Sequence, residues 1–162
     1  MINVELLVLP KIKDPTIFTI KTTLSKLKWG KRLLELNRGM LFTFKGKFVS
    51  KDELWDWLNQ TNYFFNPNKH ICRIVANFYE PRPFDFWTRI IISPLDEKCE
   101  VLRCRGEEVF DIHRAEVYFA KWRCKSETQA LMWAEKITRT KSRQSGLLAN
   151  EHLQKWSIYP GR

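Results

Sequence analysis

The chain has 162 residues, one ordinary domain or two very small ones. Hydrophobic residues at 44% and charged residues at 28% are globular values, which argues against a disordered tail or a coiled coil. Twenty-eight Lys and Arg against 18 Asp and Glu leave a net charge of +10, spread over both halves, so an anionic partner is the first class to test.

Residues 3–9 read as a short apolar strand ending at Pro10. Asp14-Pro15 is a helix start, with Asp as N-cap and Pro at the first helical position. Ile17, Ile20, Leu24 and Leu27 follow at helical spacing until Trp29-Gly30. Two strands, Leu33–Leu36 and Met40–Phe48, flank Asn37-Arg38-Gly39 and predict a hairpin, with Gly39 shaping its turn. Ser50 to Glu53 is a capping box, opening a helix whose Leu54, Trp57 and Leu58 face inward. Asn66-Pro67 breaks the chain before a strand from His70 to Phe78. The order β-α-β-β-α-β is the split, ferredoxin-like arrangement.

Residues 80–85, with two prolines, read as a linker, and the pattern then begins again. Trp87–Ile92 is a strand, and Pro94 with Asp96 could open a short helix through about Arg103. Val109–Ile112 and Glu116–Cys124 predict a second hairpin around His113-Arg114-Ala115. Ser126 to Gln129 is a second capping box; Ala130, Trp133 and Ile137 face inward from its helix, which Gly146 closes before a last strand over 153–159.

The repetition extends to residues. Gln60, Phe64, Asn66 and Ile74 fall on Gln144, Leu148, Asn150 and Ile158 at an offset of 84, and 36–39 match 112–115 at 76. The second copy therefore gains eight residues, which a longer helix would supply, and earlier loses about as many, so its first helix is short or replaced by a strand. The expected fold is α+β: two tandem units, 1–79 and 86–162, packed as a pseudo-dimer through their sheets. Trp87, Phe119 and Trp122 are candidates for that contact, since a two-helix unit leaves one sheet face open.

No phosphate-binding glycine loop, nucleophile elbow or zinc-protease helix occurs. The four cysteines form no C-x-x-C pair, and Cys99 and Cys104 read as packing residues; no metal site or cofactor is expected. Asp52, Glu53 and Asp56 are helix N-terminal charges rather than acid–base catalysts, and His113 is a turn residue. The longest apolar run near the start, Leu6–Leu9, is too short for an export signal or membrane span, which predicts a cytoplasmic protein with reduced thiols and no membrane partner. Nucleic acid is the alternative partner. Residues 38–44 are superficially similar to an RNA-binding segment, but Met40 stands at one of its aromatic positions and Lys45, the next residue, at the last. Arg139, Lys141 and Arg143, in an acid-free run from Lys136, are candidate phosphate contacts. Arg38 and Arg114 are candidate contacts for a phosphate or a protein partner.

Asp14-Pro15, Leu27 to Gly30, Arg38-Gly39 and Phe64-Phe65-Asn66-Pro67 occur in an order that resembles PurS, the small subunit of phosphoribosylformylglycinamidine synthase. Leu147-Leu148-Ala149-Asn150 repeats the last motif in the second half, where Arg114-Ala115 stands in place of the family's Arg and Gly. The resemblance implies a non-catalytic adaptor without cofactor, joining synthetase and glutaminase subunits in purine biosynthesis, and homo-oligomerisation is possible. It marks Asp14, Pro15, Gly30, Gly39, Asn66, Pro67 and Asn150 as structural positions.

Overall fold

Alternating apolar positions set the strands and three apolar stripes set the helices, with Asp14 and Ser126 capping two of them. A computed structural model describes residues 2–46, 51–61, 63–74, 85–96, 100–104, 107–140 and 146–161, with backbone only at 2, 3, 46, 51, 53, 85, 100–104 and 107–110. In chain order these are β1 (Ile2–Pro10), α1 (Pro15–Ser25), β2 (Leu33–Gly46), α2 (Lys51–Thr61), β3 (His70–Ile74), β4 (Asp85–Pro94), β5 (Glu100–Cys104), β6 (Glu107–Arg123), α3 (Glu127–Thr138) and β7 (Gln154–Pro160). The chain is α+β, with antiparallel strand pairing and three helices. Linker residues 80–84 and the Ser50 cap lie outside the described residues.

Contacts divide the chain into two compact units that interleave the two halves rather than following a division at 80–85. The first comprises Met1–Ile12, Gly39–Ala76 and Glu97–Arg114. Here β1 lies between β3 and the second part of β2, while β5 pairs with the first part of β6. Val4, Leu6 and Val8 of β1 meet Phe42 and Phe44 of β2, Leu54 and Leu58 of α2, Phe64, Phe65 and Ile112 in one core. Phe64 packs edge-on against Phe42 and Phe44, with ring centroids 5.2 and 5.1 Å away, a geometry that aromatic quadrupoles favour.

The second unit comprises Lys13–Arg38, Asn77–Asp96 and Ala115–Arg162. Within it β4 lies between β6 and β7. Helix α1 belongs here: Ile20, Leu24 and Leu36 are buried with Ile90, Ile92, Tyr118, Ala120 and Trp122 of the strands and Ala130, Ala134 and Ile137 of α3. Trp122 is therefore a core residue of this unit, beneath its helices, rather than a residue of an open sheet face. By strand alternation Val117 and Phe119 point to the opposite face, and both are buried, as are Leu7 and Leu41 on the corresponding face of the first unit.

Neither expected hairpin forms. β2 and β6 each run unbroken through the supposed turns at 37–39 and 113–115. A two-residue hairpin turn needs backbone at positive φ, and among the described glycines only Gly146 adopts it, at 78°. Gly39 serves a different purpose. A Cβ there would lie 2.8 Å from both Leu9 Cδ2 and Val8 O, so the small residue admits β1. Among the described residues the expected helix from Pro94 to about Arg103 is also absent: β4 reaches Pro94 and strand β5 occupies 100–104, while 97–99 lie outside the described residues. α3 has 12 residues against 11 in α2 and ends at Thr138, so the second half's extra residues follow the helix instead of lengthening it. Gly146 still serves that end, donating its N–H to Lys136 O at 2.8 Å.

The registers of the two units correspond. β1·β3 runs from Leu6↔Ile74 to Pro10↔His70; adding 84 to every number gives Ile90↔Ile158 to Pro94↔Gln154, the register of β4·β7. Val8↔Met40 becomes Ile92↔Glu116 when 84 is added to the first number and 76 to the second. Helices α2 and α3 start 76 residues apart, at 51 and 127, with Leu54 and Leu58 answered by Ala130 and Ala134 in the cores.

Candidate functional site

Asp14 caps α1 as its sequence position demands: Oδ1 accepts from the Thr16 N–H at 2.8 Å, with Pro15 in the first turn. That leaves Oδ2 facing Arg38, whose Nη1 lies 3.6 Å away. Arg38 is a mid-strand residue of β2, and its Nη2 also donates to Glu116 Oε1 on β6 at 3.0 Å. The other Glu116 oxygen accepts from the Tyr118 hydroxyl at 2.9 Å. Burial, then the Glu116 charge and hydrogen bond, hold the Tyr118 hydroxyl well above its ordinary range.

This cluster brings two of the residues singled out in the sequence together and adds two more. Its chemistry is that of a fastening. The Arg38 guanidinium is shared between two carboxylates and is not a free phosphate donor. Both Glu116 oxygens are engaged, and the phenol stays protonated. What the arrangement does is tie the start of α1 to β2 through an ion pair, and β2 to β6 through a charge-assisted hydrogen bond, the stronger kind.

The remaining candidates fall elsewhere. Arg114, the counterpart of Arg38 at an offset of 76, is exposed in the first unit, with Cζ 6.0 Å from the Phe42 ring centroid. Arg139 is paired with Glu151, Nε and Nη2 each 2.9 Å from Oε2. Lys141 and Arg143 lie outside the described residues. Gly30 is buried in a 3-10 turn over 30–32, where a Cβ would collide with Leu24 O at 1.9 Å.

Asn66 and Asn150 form matching turns. Asn66 Oδ1 accepts from the Asn68 N–H, and Asn150 Oδ1 from the His152 N–H. The Asn66 N–H donates to His70 Nδ1, and the Asn150 N–H to Gln154 Oε1, both at 3.0 Å. The carbonyl of each Asn accepts from the residues three and four later. Pro67 lies inside the first turn, where its carbonyl accepts from Lys11 Nζ. These asparagines act on their own backbones, as short polar side chains do at turns.

Burial pushes the Cys72 thiol up to about 11 and raises Cys124 as well, the opposite of nucleophile activation. Among the described residues no group of three or more His, Cys, Asp or Glu could hold a metal ion, and no helix is long and apolar enough to cross a membrane.

Sequence reasoning missed Glu116, whose partner Arg38 is 78 residues away and beyond any local pattern, and with it Tyr118, which joins the cluster through Glu116. It also missed a stacked pair on the second unit, Trp29 and Trp133, with centroids 5.9 Å apart and planes 5° from parallel. The signal available was Trp29 set among Lys28, Lys31 and Arg32. No family model, curated protein or solved structure matches the chain.

Proposed function

We propose that the chain is a non-catalytic scaffold subunit of the PurS type, two fused units that join the synthetase and glutaminase subunits of phosphoribosylformylglycinamidine synthase. The observation that carries this reading is the repeated register. One β-β-α-β frame occurs twice, at offsets of 84 and 76, and the matching asparagine turns recur at 84. Tandem duplication of a ferredoxin-like unit accounts for that repetition. It also accounts for a second unit holding four strand segments and two helices, with α1 drawn from the first half. The identity of the partner rests on the sequence resemblance. Asp14 and Arg38, two positions that carry it, support the reading by meeting in one ion-pair cluster.

In this role the chain supplies surfaces rather than reacting groups, in keeping with an Arg38–Glu116–Tyr118 set in which both Glu116 oxygens and the Tyr118 hydroxyl are engaged. The test is copurification with synthetase and glutaminase subunits, followed by glutamine-dependent turnover with and without the chain. Retention of both partners and loss of turnover on omission are expected. Unchanged turnover with no retained partner rejects the proposal.

A further inference from the structure

From Pro15 to Leu34 the sequence carries five cations, Lys21, Lys26, Lys28, Lys31 and Arg32, and no acid. The last four crowd into seven residues at the turn after α1, and all four are exposed. None of the four makes an ion pair with a described residue, unlike Arg38, Lys121 and Arg139. A sixth cation joins them from α3. Lys136 Nζ sits 5.0 Å from the Trp29 ring centroid and 5.4 Å from that of Trp133, over the stacked pair. Two cation–π contacts fix this ammonium beside the basic turn. Gly30 locks the turn itself, since its N–H donates to Leu27 O at 3.0 Å and no Cβ would fit.

Neither acid of α3 forms an ion pair with these cations. Glu127 lies in the helix's first turn, and Glu135 accepts from Trp156 Nε1 at 3.2 Å. We infer that the turn over 26–32, with Lys136 and the Trp29–Trp133 stack, is a docking surface for the phosphate backbone of a nucleic acid. Charge complementarity identifies the occupant. Several unpaired cations on a fixed turn suit a chain of repeated phosphates, each contact releasing a counterion. An acidic protein would need apolar anchors set between the charges, whereas the two indoles here are stacked on each other beneath Lys136. This surface is separate from the run over Arg139–Arg143, where Arg139 is already paired.

Fluorescence anisotropy with labelled single-stranded and duplex oligonucleotides tests it, with a poly-glutamate peptide as a parallel probe. The triple variant Lys28→Glu, Lys31→Glu, Arg32→Glu should bind at least about tenfold more weakly near 50 mM salt. Its log–log salt slope should fall by about 2 on single strands or about 3 on duplex. Lys45→Glu, Lys69→Glu, Arg73→Glu makes the same charge change in the first unit and should retain most of the affinity. Circular dichroism on both variants separates lost binding from lost folding; if the first triple does not fold, Lys28→Gln with Lys31→Gln replaces it, with a slope change of about 1–2. Equal weakening by the two triples would show diffuse attraction to net charge and overturn the inference. So would binding of poly-glutamate, but not oligonucleotide, that depends on the 28–32 cations.

Discussion

Thr88 and Trp122 are both fully buried, and the indole Nε1–H donates to the threonine hydroxyl at 2.8 Å. A buried donor without a partner retains its full desolvation cost, so Thr88→Val, close to isosteric, removes more than one average hydrogen bond. The expected loss is about 1–3 kcal/mol, read from the denaturant midpoint at unchanged slope. A loss below about 0.5 kcal/mol would mean that the indole finds another acceptor. At this scale the sequence was informative where the cause is local. Asp14 as a cap, Pro15 behind it and Asn66 and Asn150 as turn formers follow from bonds within four residues. Arg38 was singled out, but its carboxylate partners and its place in mid-strand were not legible, because Glu116 lies 78 residues away.

At the scale of the element, turn chemistry and strand pairing compete for one glycine. Asn37-Arg38-Gly39 carries the residues of a hairpin turn, yet β2 continues through it for 14 residues. Fourteen residues is far beyond the usual strand length, which is why the two halves of β2 read as separate strands. Gly39 is retained for closeness: the atoms a Cβ would meet at 2.8 Å include the Val8 carbonyl, which cannot swing aside as a side chain can. Gly39→Ala should therefore cost about 1–3 kcal/mol, by forcing β1 and β2 apart. Ala115, its counterpart 76 residues on, already carries a Cβ in strand β6, so Ala115→Gly should cost only about 0.5–1 kcal/mol through backbone entropy. Thermal melts of the two variants check the asymmetry; equal effects would contradict it. The correspondence of registers was legible because matching residues recur at two offsets, 84 and 76. Strand β5 was half legible, as a region whose helix the sequence reading left either short or exchanged for a strand.

For the whole molecule, a division at 80–85 is a division of pattern, and the cores do not respect it. Ile20, Leu24 and Leu36 come from the first half but are buried among Ile90, Trp122 and Ile137 of the second. Ile112 makes the reverse crossing into the core built on Leu6, Phe44 and Leu54. Hydrophobic patterning along one chain reports which faces are apolar and is silent on which partner covers them, so this exchange could not be read in advance. Burying three large aliphatic side chains is worth about 5–9 kcal/mol, comparable to the whole stability of a small domain at about 5–15 kcal/mol. Separately expressed fragments 1–79 and 86–162 should therefore each show weak, non-cooperative melting, because each lacks core residues that only the other supplies. Mixed in equal amounts, they should regain the far-ultraviolet circular dichroism and the cooperative transition of the intact chain, at a midpoint that rises with concentration as mass action requires. A fragment over 86–162 that melts cooperatively alone, at a midpoint unmoved by its partner, would show that α1 and Leu36 are dispensable to the second core.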